Sequence, residues 1–475
     1  MNLNQRGPIM SHQNHPPISQ KPFEVIVIGS GFAGLAAAIE CKMNGGNVIV
    51  LEKMKAIGGN SIISDGGIAA PNTVEQQHLG IIDSVDLMFD DMMRSGEGLN
   101  DPHITRRVCE EALDAYTWSK EVLNVKYMSR VDIFGGHQVP RCYSPDPLSG
   151  STMMLRMKQK CDELGIEIRF DAHVQSFIQD EHQQVIGVQL IENNITSTNS
   201  TEITELYATK GVIVASGGFA ADREFLKEII KEDFLTTNKK TTSAEVLKAC
   251  MAIHAATIHL NKIQWMPWTT QDENGYGKGG LFGDYIVSSY GIVVDCKNGE
   301  RFVNELGNRK QLTEAILKRK DVIGIVDESS LKRTGWKLED VLRKGIIQSH
   351  TDLNQLARHY NIPYESLVQT IEAYNLSITL NTSDPFGKVF ETWMVPLTTP
   401  PFYTMRIHPK THYSLGGLVT DVDTHVLDIH GHIHKGLFAA GEVTGLTHGA
   451  NRLGSCSVTE CLVMGRVAGR KAIEN

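Results

Sequence analysis

The chain has 475 residues, enough for two or three domains around a large buried core. Hydrophobic residues make up 41% and charged residues 21%, the balance of an ordinary globular protein. A formal net charge of −9, with no long basic run, argues against nucleic acid and anionic membrane surfaces as standing partners.

Residues 1–21 are rich in Asn, Gln, Pro and His and lack an apolar core, so they read as a disordered leader rather than a signal peptide. No apolar stretch approaches the roughly 20 residues that span a bilayer, and membrane insertion is not expected. Residues 25–28 predict a buried strand, 34–43 an Ala-rich helix, and 48–51 a second strand that ends in Glu52. Glycine turns follow at 58–60 and 65–67, then helices to about residue 125. Residues 165–170 and 184–190 read as strands of a small antiparallel element, and 193–205 as a polar exposed hairpin or loop. Residues 211–218 form another buried strand closed by a glycine turn.

From about 236 to 404 helical segments and polar loops dominate, and Trp265, Trp268 and Trp336 are concentrated there. From His412, strands and glycine turns lead to a final helix near 458–473. The alternation specifies an α/β fold: a Rossmann-like nucleotide-binding domain in two parts, 22–235 and 405–475, interrupted by an inserted α+β capping domain, 236–404. The eight cysteines are scattered without a Cys-x-x-Cys pair, which predicts free thiols in a reducing cytoplasm and no iron–sulfur or haem attachment. His430, His432 and His434 surround Gly431 and read as a hairpin turn rather than a metal site.

Gly29, Gly31 and Gly34 stand between a strand and a helix, the context that gives a glycine fingerprint meaning. The first permits a tight turn, the second lets backbone approach a pyrophosphate, and the third lets helix and strand pack closely. The helix N-terminus then presents N–H groups and a positive dipole end to the phosphates. Glu52, 18 residues after Gly34, is placed to accept both ribose hydroxyls and disfavours a 2′-phosphate, so NADP is not expected. NAD and FAD stay open on this unit alone. Two features point to FAD. The loop from Glu52 to Asn60 suits an isoalloxazine ring, and residues 436–442 read as a second strand ending in Glu442, suited to ribitol or pyrophosphate.

At this point the sequence resembles the flavoprotein family of fumarate reductases, succinate dehydrogenases and soluble flavocytochrome-type reductases, from about Phe23 to Lys471. Its most specific stretch is Gly441-Glu-Val-Thr-Gly-Leu-Thr-His-Gly-Ala-Asn-Arg-Leu-Gly454. The resemblance implies FAD in a two-part domain interrupted by a cap. The cofactor residues expected are Gly29, Gly31, Ala33, Gly34, Glu52, Lys53, Gly59, Asn60, Ser61, Gly66, Gly67, Val174, Gly217, Glu442, Ser457 and Val458. Members that attach FAD covalently carry a histidine where this chain has Asn60, so non-covalent FAD is implied.

Reducing an activated C=C bond takes a hydride from flavin N5, a proton, and a held carboxylate on which developing charge is stabilised. The resemblance assigns the proton to Arg309, which follows the stretch from Arg301 to Glu305. It assigns a carboxylate hydrogen bond to His412 and the carboxylate clamp to Arg452. The final helix, after Ser455-Cys456-Ser457, would aim its N-terminus at the flavin, with Cys456 serving packing rather than thiol chemistry.

The departures are equally specific. Where fumarate reductases carry His-Pro-Thr to hold a second carboxylate, this chain has Met266-Pro267-Trp268. Their Thr-Glu pair matches Gly283-Asp284, and a following arginine is Val287. Met266, Trp268, Gly283 and Tyr285 (or Tyr290) therefore replace a polar pocket end, and an unpaired carboxylate there would cost several kcal/mol. The expected substrate is an α,β-unsaturated monocarboxylate with an apolar or heteroaromatic tail, urocanate- or arylacrylate-like rather than fumarate. Asp284 resembles the shortened acid of urocanate reductases, bonding such a tail or relaying protons to Arg309. The rival readings are a fumarate reductase proper, a ketosteroid dehydrogenase using Tyr413 as base, an L-aspartate oxidase and a non-catalytic FAD sensor. Arg309, His412 and Arg452 weigh against the last. Electrons are expected from an external donor or reductase partner.

Overall fold

The computed structural model describes residues 22–192, 203–231, 234–334, 338–390 and 394–475. The expected leader, most of the polar loop after residue 192, and Trp336 lie outside the described residues. Five parallel strands stand side by side in the order Ile433–Ala439, Ile203–Val214, Phe23–Ile28, Val48–Leu51 and Glu167–Arg169. The two inner strands, and the end of Ile203–Val214 beside them, are runs of Val, Ile and Leu without polar alternation, because helices or further chain cover both faces of a parallel sheet there. Val25 to Ile28 and Val48 to Leu51 are all buried. Ile28 is in register with both Leu51 and Val214, and Val214 with Ala439. The strands therefore end together, and Gly29, Glu52, Ala215 and Ala440 emerge along one edge, where ligands of such sheets bind.

The helix Phe32–Met43 packs between the sheet and the last helix, Cys456–Glu474. Close packing at its start depends on Gly34, where a Cβ would lie 2.0 Å from the Gly29 carbonyl oxygen. The strands Ala172–Gln179 and Val185–Glu192 extend the sheet antiparallel through Ile203–Val214. The polar loop expected to reach residue 205 is shorter than that, since Ile203 and Thr204 pair with Ile191 and Leu190. The hairpin expected around Gly431 joins the strands His425–Leu427 and Ile433–Ala439.

The region expected to be mostly helices and polar loops also contains a five-stranded antiparallel sheet. Its order is Glu300–Arg301, Ile292–Asp295, Val322–Asp327, Phe402–Arg406 and Gln348–His350. All six residues of the central strand Val322–Asp327 are buried. Beneath this sheet Arg301 pairs with Glu305 at 2.7 Å and Asp384 at 2.6 Å, a structural role for the arginine that opens the Arg301–Glu305 stretch.

A separate two-stranded ribbon, Ile263–Met266 against Lys410–Ser414, runs between the two sheets. Its register passes from Gln264↔Tyr413 to Trp265↔Thr411, so His412 is the extra residue of a bulge. Bulges re-aim side chains, and here the one re-aimed is a histidine.

Candidate active site

The ends of the parallel strands, the ribbon and the start of the last helix enclose one elongated cleft of about 1740 Å³, open to solvent. Every expected cofactor residue lines it except Gly34 and Gly66. Those two act through backbone alone. Gly34 lets helix and strand meet, and Gly66 (φ +75°) turns the chain where a Cβ would lie 2.9 Å from Gly150 Cα.

At the nucleotide end, the N-cap residue Gly31 has no side chain to cap the helix Phe32–Met43, and of its first N–H groups Phe32's donates to Ser61 Oγ at 3.0 Å. The first-turn N–H groups therefore face the cleft as an anion site for a pyrophosphate. Glu52 is buried, with Oε2 accepting from the Ser30 hydroxyl at 2.5 Å and Oε1 from the Met54 N–H at 2.9 Å. Those bonds orient a carboxylate at the strand end for ribose hydroxyls. Lys53 stands at the rim, donating to Ser243 Oγ at 2.8 Å and pairing with Glu245 at 3.1 Å. Asn60 Oδ1 accepts from the Lys239 N–H at 2.9 Å and the Thr242 hydroxyl at 3.2 Å, and its amide nitrogen meets Asn238. The glycine cradle, the uncapped helix and the oriented acid fit FAD.

Towards the ribbon, Ser414 fixes Glu442: the Ser414 N–H donates to Oε1 at 2.9 Å and its hydroxyl at 3.1 Å. Burial pushes the Glu442 carboxyl up to about 7. Arg452 makes no ion pair with Glu442 among the described residues. Arg452 instead donates from Nη1 to the Leu453 carbonyl at 2.9 Å and lies over the Tyr413 ring, 5.0 Å from its centroid. Ser455, which precedes the last helix, has φ +63°, a conformation costly for a non-glycine residue and found at functional turns.

The catalytic end brings Arg309, His412, Arg452 and Asp284 into one cavity with Met266, Tyr276 and Tyr413. Asn308 caps the helix Arg309–Leu317, so Arg309 leaves the first turn towards the cleft. Its Nη2 donates to Asp284 Oδ2 at 3.2 Å. Burial raises the Asp284 carboxyl above its ordinary range, against the opposing pull of Arg309. His412 Nδ1 lies 2.7 Å from Thr237 Oγ1, and burial followed by the two guanidiniums holds the ring well below the usual histidine range, hence neutral. Arg309 Nη1, Arg452 Nε and Ser455 Oγ are buried with no hydrogen-bond partner among the described residues. Buried donors are rarely left unpaired, because each costs about 1–3 kcal/mol, so the cavity is built for an acceptor-rich ligand.

Trp268, Gly283 and Tyr285, expected in the substrate pocket, stand outside its lining, as does Tyr290. Trp268 is buried in the apolar core of the cap, and a Cβ on Gly283 would lie 3.0 Å from Trp268 Cβ, so the two support the wall from behind. Tyr285 turns away to donate to Asp65 Oδ2 at 2.9 Å and packs edge-on against Phe134. Val287 is fully buried against Gly324 and presents nothing to the cavity. The reading of the residues missed Tyr276, Thr237, Asn238 and Asp65. Only Tyr276 carried a signal, a lone aromatic among Gly275, Gly277, Gly279 and Gly280. The eight cysteines are free, and Cys456 is buried at the start of the last helix with its thiol pushed up to about 12, as a packing role requires.

Residues 24–458 match a protein family described as the FAD binding domain. The acrylate reductase flavoprotein subunit of Shewanella woodyi is 34% identical over 464 residues, covering 95% of this chain and 91% of that protein. The urocanate reductase of Eggerthella lenta is 30% identical over 461 residues, covering 94% and 74% respectively. The open conformation of a flavocytochrome c3 fumarate reductase superposes with a TM-score of 0.76 at 27% identity, covering 96% of this chain and 78% of that one. No helix among the described residues is long and apolar enough to cross a membrane. The chain belongs to the FAD binding domain family and, within it, to the FAD-dependent reductases of the fumarate reductase type that act on C=C bonds.

Proposed function

We propose that this enzyme reduces the C=C bond of an α,β-unsaturated monocarboxylate, the class that contains acrylate and urocanate, in preference to fumarate. The observation that carries this is the pairing of unmet donors with a missing second cation. Arg309 Nη1 and Arg452 Nε wait for one carboxylate, while the other lining groups, Met266, Tyr276 and Asp284, supply no positive charge for a second. A dicarboxylate would set its distal charge beside Asp284, and an unpaired buried charge costs several kcal/mol.

In this reading Arg452 and His412 hold the substrate carboxylate. The hydrogen bond between Thr237 Oγ1 and His412 Nδ1 fixes the ring and leaves Nε2 free for the carboxylate; with Nε2 protonated, the neutral ring donates to it. The glycine turn, Glu52 and the loop around Asn60 would hold FAD non-covalently, and the flavin, when bound and reduced, would supply hydride chemistry for the β-carbon. Arg309 gives its proton to the α-carbon as the C=C π bond breaks, and Asp284 returns a proton to Arg309 and regains one from solvent. Charge building on the carboxylate during hydride arrival falls between the two guanidiniums, which lowers the barrier rather than the ground state. The steroid-type alternative needs Tyr413 as a base, but burial holds its hydroxyl well above the usual tyrosine range.

The electrons come from an external donor. An anaerobic assay with reduced viologen therefore tests the reading directly, with the saturated acid identified as product. Formation of propanoate from acrylate is expected. Dye oxidation by fumarate alone would overturn it.

A further inference from the structure

Tyr276 lines the cavity, and neither the glycine fingerprint nor the carboxylate-binding residues account for it. Its hydroxyl donates to Asp284 Oδ2 at 3.0 Å, the same oxygen that accepts from Arg309. Its ring centroid lies 6.2 Å from that of His412. The ring thus stands in the same cavity as the residue assigned to the carboxylate, close enough to bound the space beside it.

The surrounding chain is built to hold it there. Gly275 and Gly277, both at φ +71°, turn the backbone on either side of Tyr276. Gly280 gives the ring its bed, since a Cβ at that position would lie 2.6 Å from Tyr276 Cδ2. The buried Lys410 donates from Nζ to the Glu273 carbonyl at 2.5 Å and the Gly275 carbonyl at 3.0 Å, tying this loop to the strand that carries His412 two residues later. The Glu273 carboxylate in turn accepts from the Lys278 and Gly279 N–H groups at 2.9 and 2.7 Å. A side chain anchored at its hydroxyl, its ring face and both flanking turns does not swing aside for a longer ligand.

We propose that Tyr276 is the end wall of the substrate pocket and sets substrate length, restricting the enzyme to the shortest unsaturated monocarboxylates. The proposal rests on the function assigned above. Trp268, Gly283 and Tyr285, expected to receive a flat tail, do not line the cavity.

The test is a series of acids of rising length with reduced viologen as donor: propenoate, trans-2-butenoate, trans-2-pentenoate and cinnamate. Wild type, Tyr276→Phe, Tyr276→Ala and Tyr276→Leu are compared by kcat/KM. Binding of the matching saturated acids is read from the visible spectrum of the bound flavin. Wild type should favour propenoate over the five-carbon acid by at least tenfold, and Tyr276→Phe, which keeps the ring, should preserve that order. Tyr276→Ala or Tyr276→Leu should shift the ratio towards the longer acid by at least tenfold, in binding as in turnover. A wild-type enzyme that reduces none of these acids overturns the reading beneath the proposal. One that reduces propenoate, but whose preference is the same in the flavin-loaded Ala and Leu variants, overturns the role of Tyr276 alone. So does wild type that takes cinnamate as well as propenoate.

Discussion

Arg309 donates to Asp284 across 3.2 Å while its second terminal nitrogen, Nη1, stays buried and unpartnered. One arm of the guanidinium is held by an internal acid and the other is left for substrate. Removing the arm should remove proton delivery without touching the nucleotide end of the cleft. Arg309→Ala should therefore lower kcat by about 10²–10⁴, the usual worth of a positioned proton donor, with FAD content unchanged. Asp284→Asn, which keeps an acceptor but not the acid, should lose less. Steady-state assays alongside the flavin-to-protein absorbance ratio check both.

Asn60 stands where a covalent flavin would need a histidine, and its amide is occupied by Lys239, Thr242 and Asn238. An amide offers no ring nitrogen to bond the flavin. Acid precipitation should leave all the FAD in the supernatant, and yellow colour in the washed pellet would contradict this.

Glu460 is buried and Glu442 partly so, and loss of solvent around each pushes its carboxyl up to about 7 from 4.5. A carboxyl whose folded pKa is raised binds its proton more tightly in the native state than in the unfolded chain. Its stabilisation is complete below about pH 4.5 and is lost as pH rises towards 7. Glu460 accepts from the Gly441 N–H at 3.1 Å, a bond that glutamine preserves. Glu460→Gln should therefore stabilise the apoprotein by about 2–3 kcal/mol at pH 8 and by close to nothing at pH 4. Urea unfolding at the two pH values measures the difference.

Much of this architecture is legible in the residues because it is local. The strand, glycine turn, helix and Glu52 lie within one short stretch, and each glycine answers to a backbone approach such as that of Gly34 to Gly29. That Asp284, Arg309, His412 and Arg452 meet in one cavity was legible only through the resemblance, since they come from four distant segments. What stayed hidden depends on which way a side chain turns. Trp268 and Tyr285 have the chemistry of a pocket wall, but one is drawn into the apolar core of the cap and the other towards Asp65. Tyr276 takes their place because a run of glycines leaves a bed for its ring, a consequence of three-dimensional packing that spacing alone does not reveal. The antiparallel sheet of the cap was obscured in the same way, its short strands being separated by long helical stretches.

The central claim is that the pocket accepts one carboxylate and rejects a second. Competition between acrylate and fumarate in a single anaerobic reaction with reduced viologen measures it without knowledge of the natural donor. The ratio of their kcat/KM values should favour acrylate by at least about tenfold, the equivalent of 1.4 kcal/mol for the unpaired distal charge. A ratio at or below one, with succinate the main product, would contradict the account.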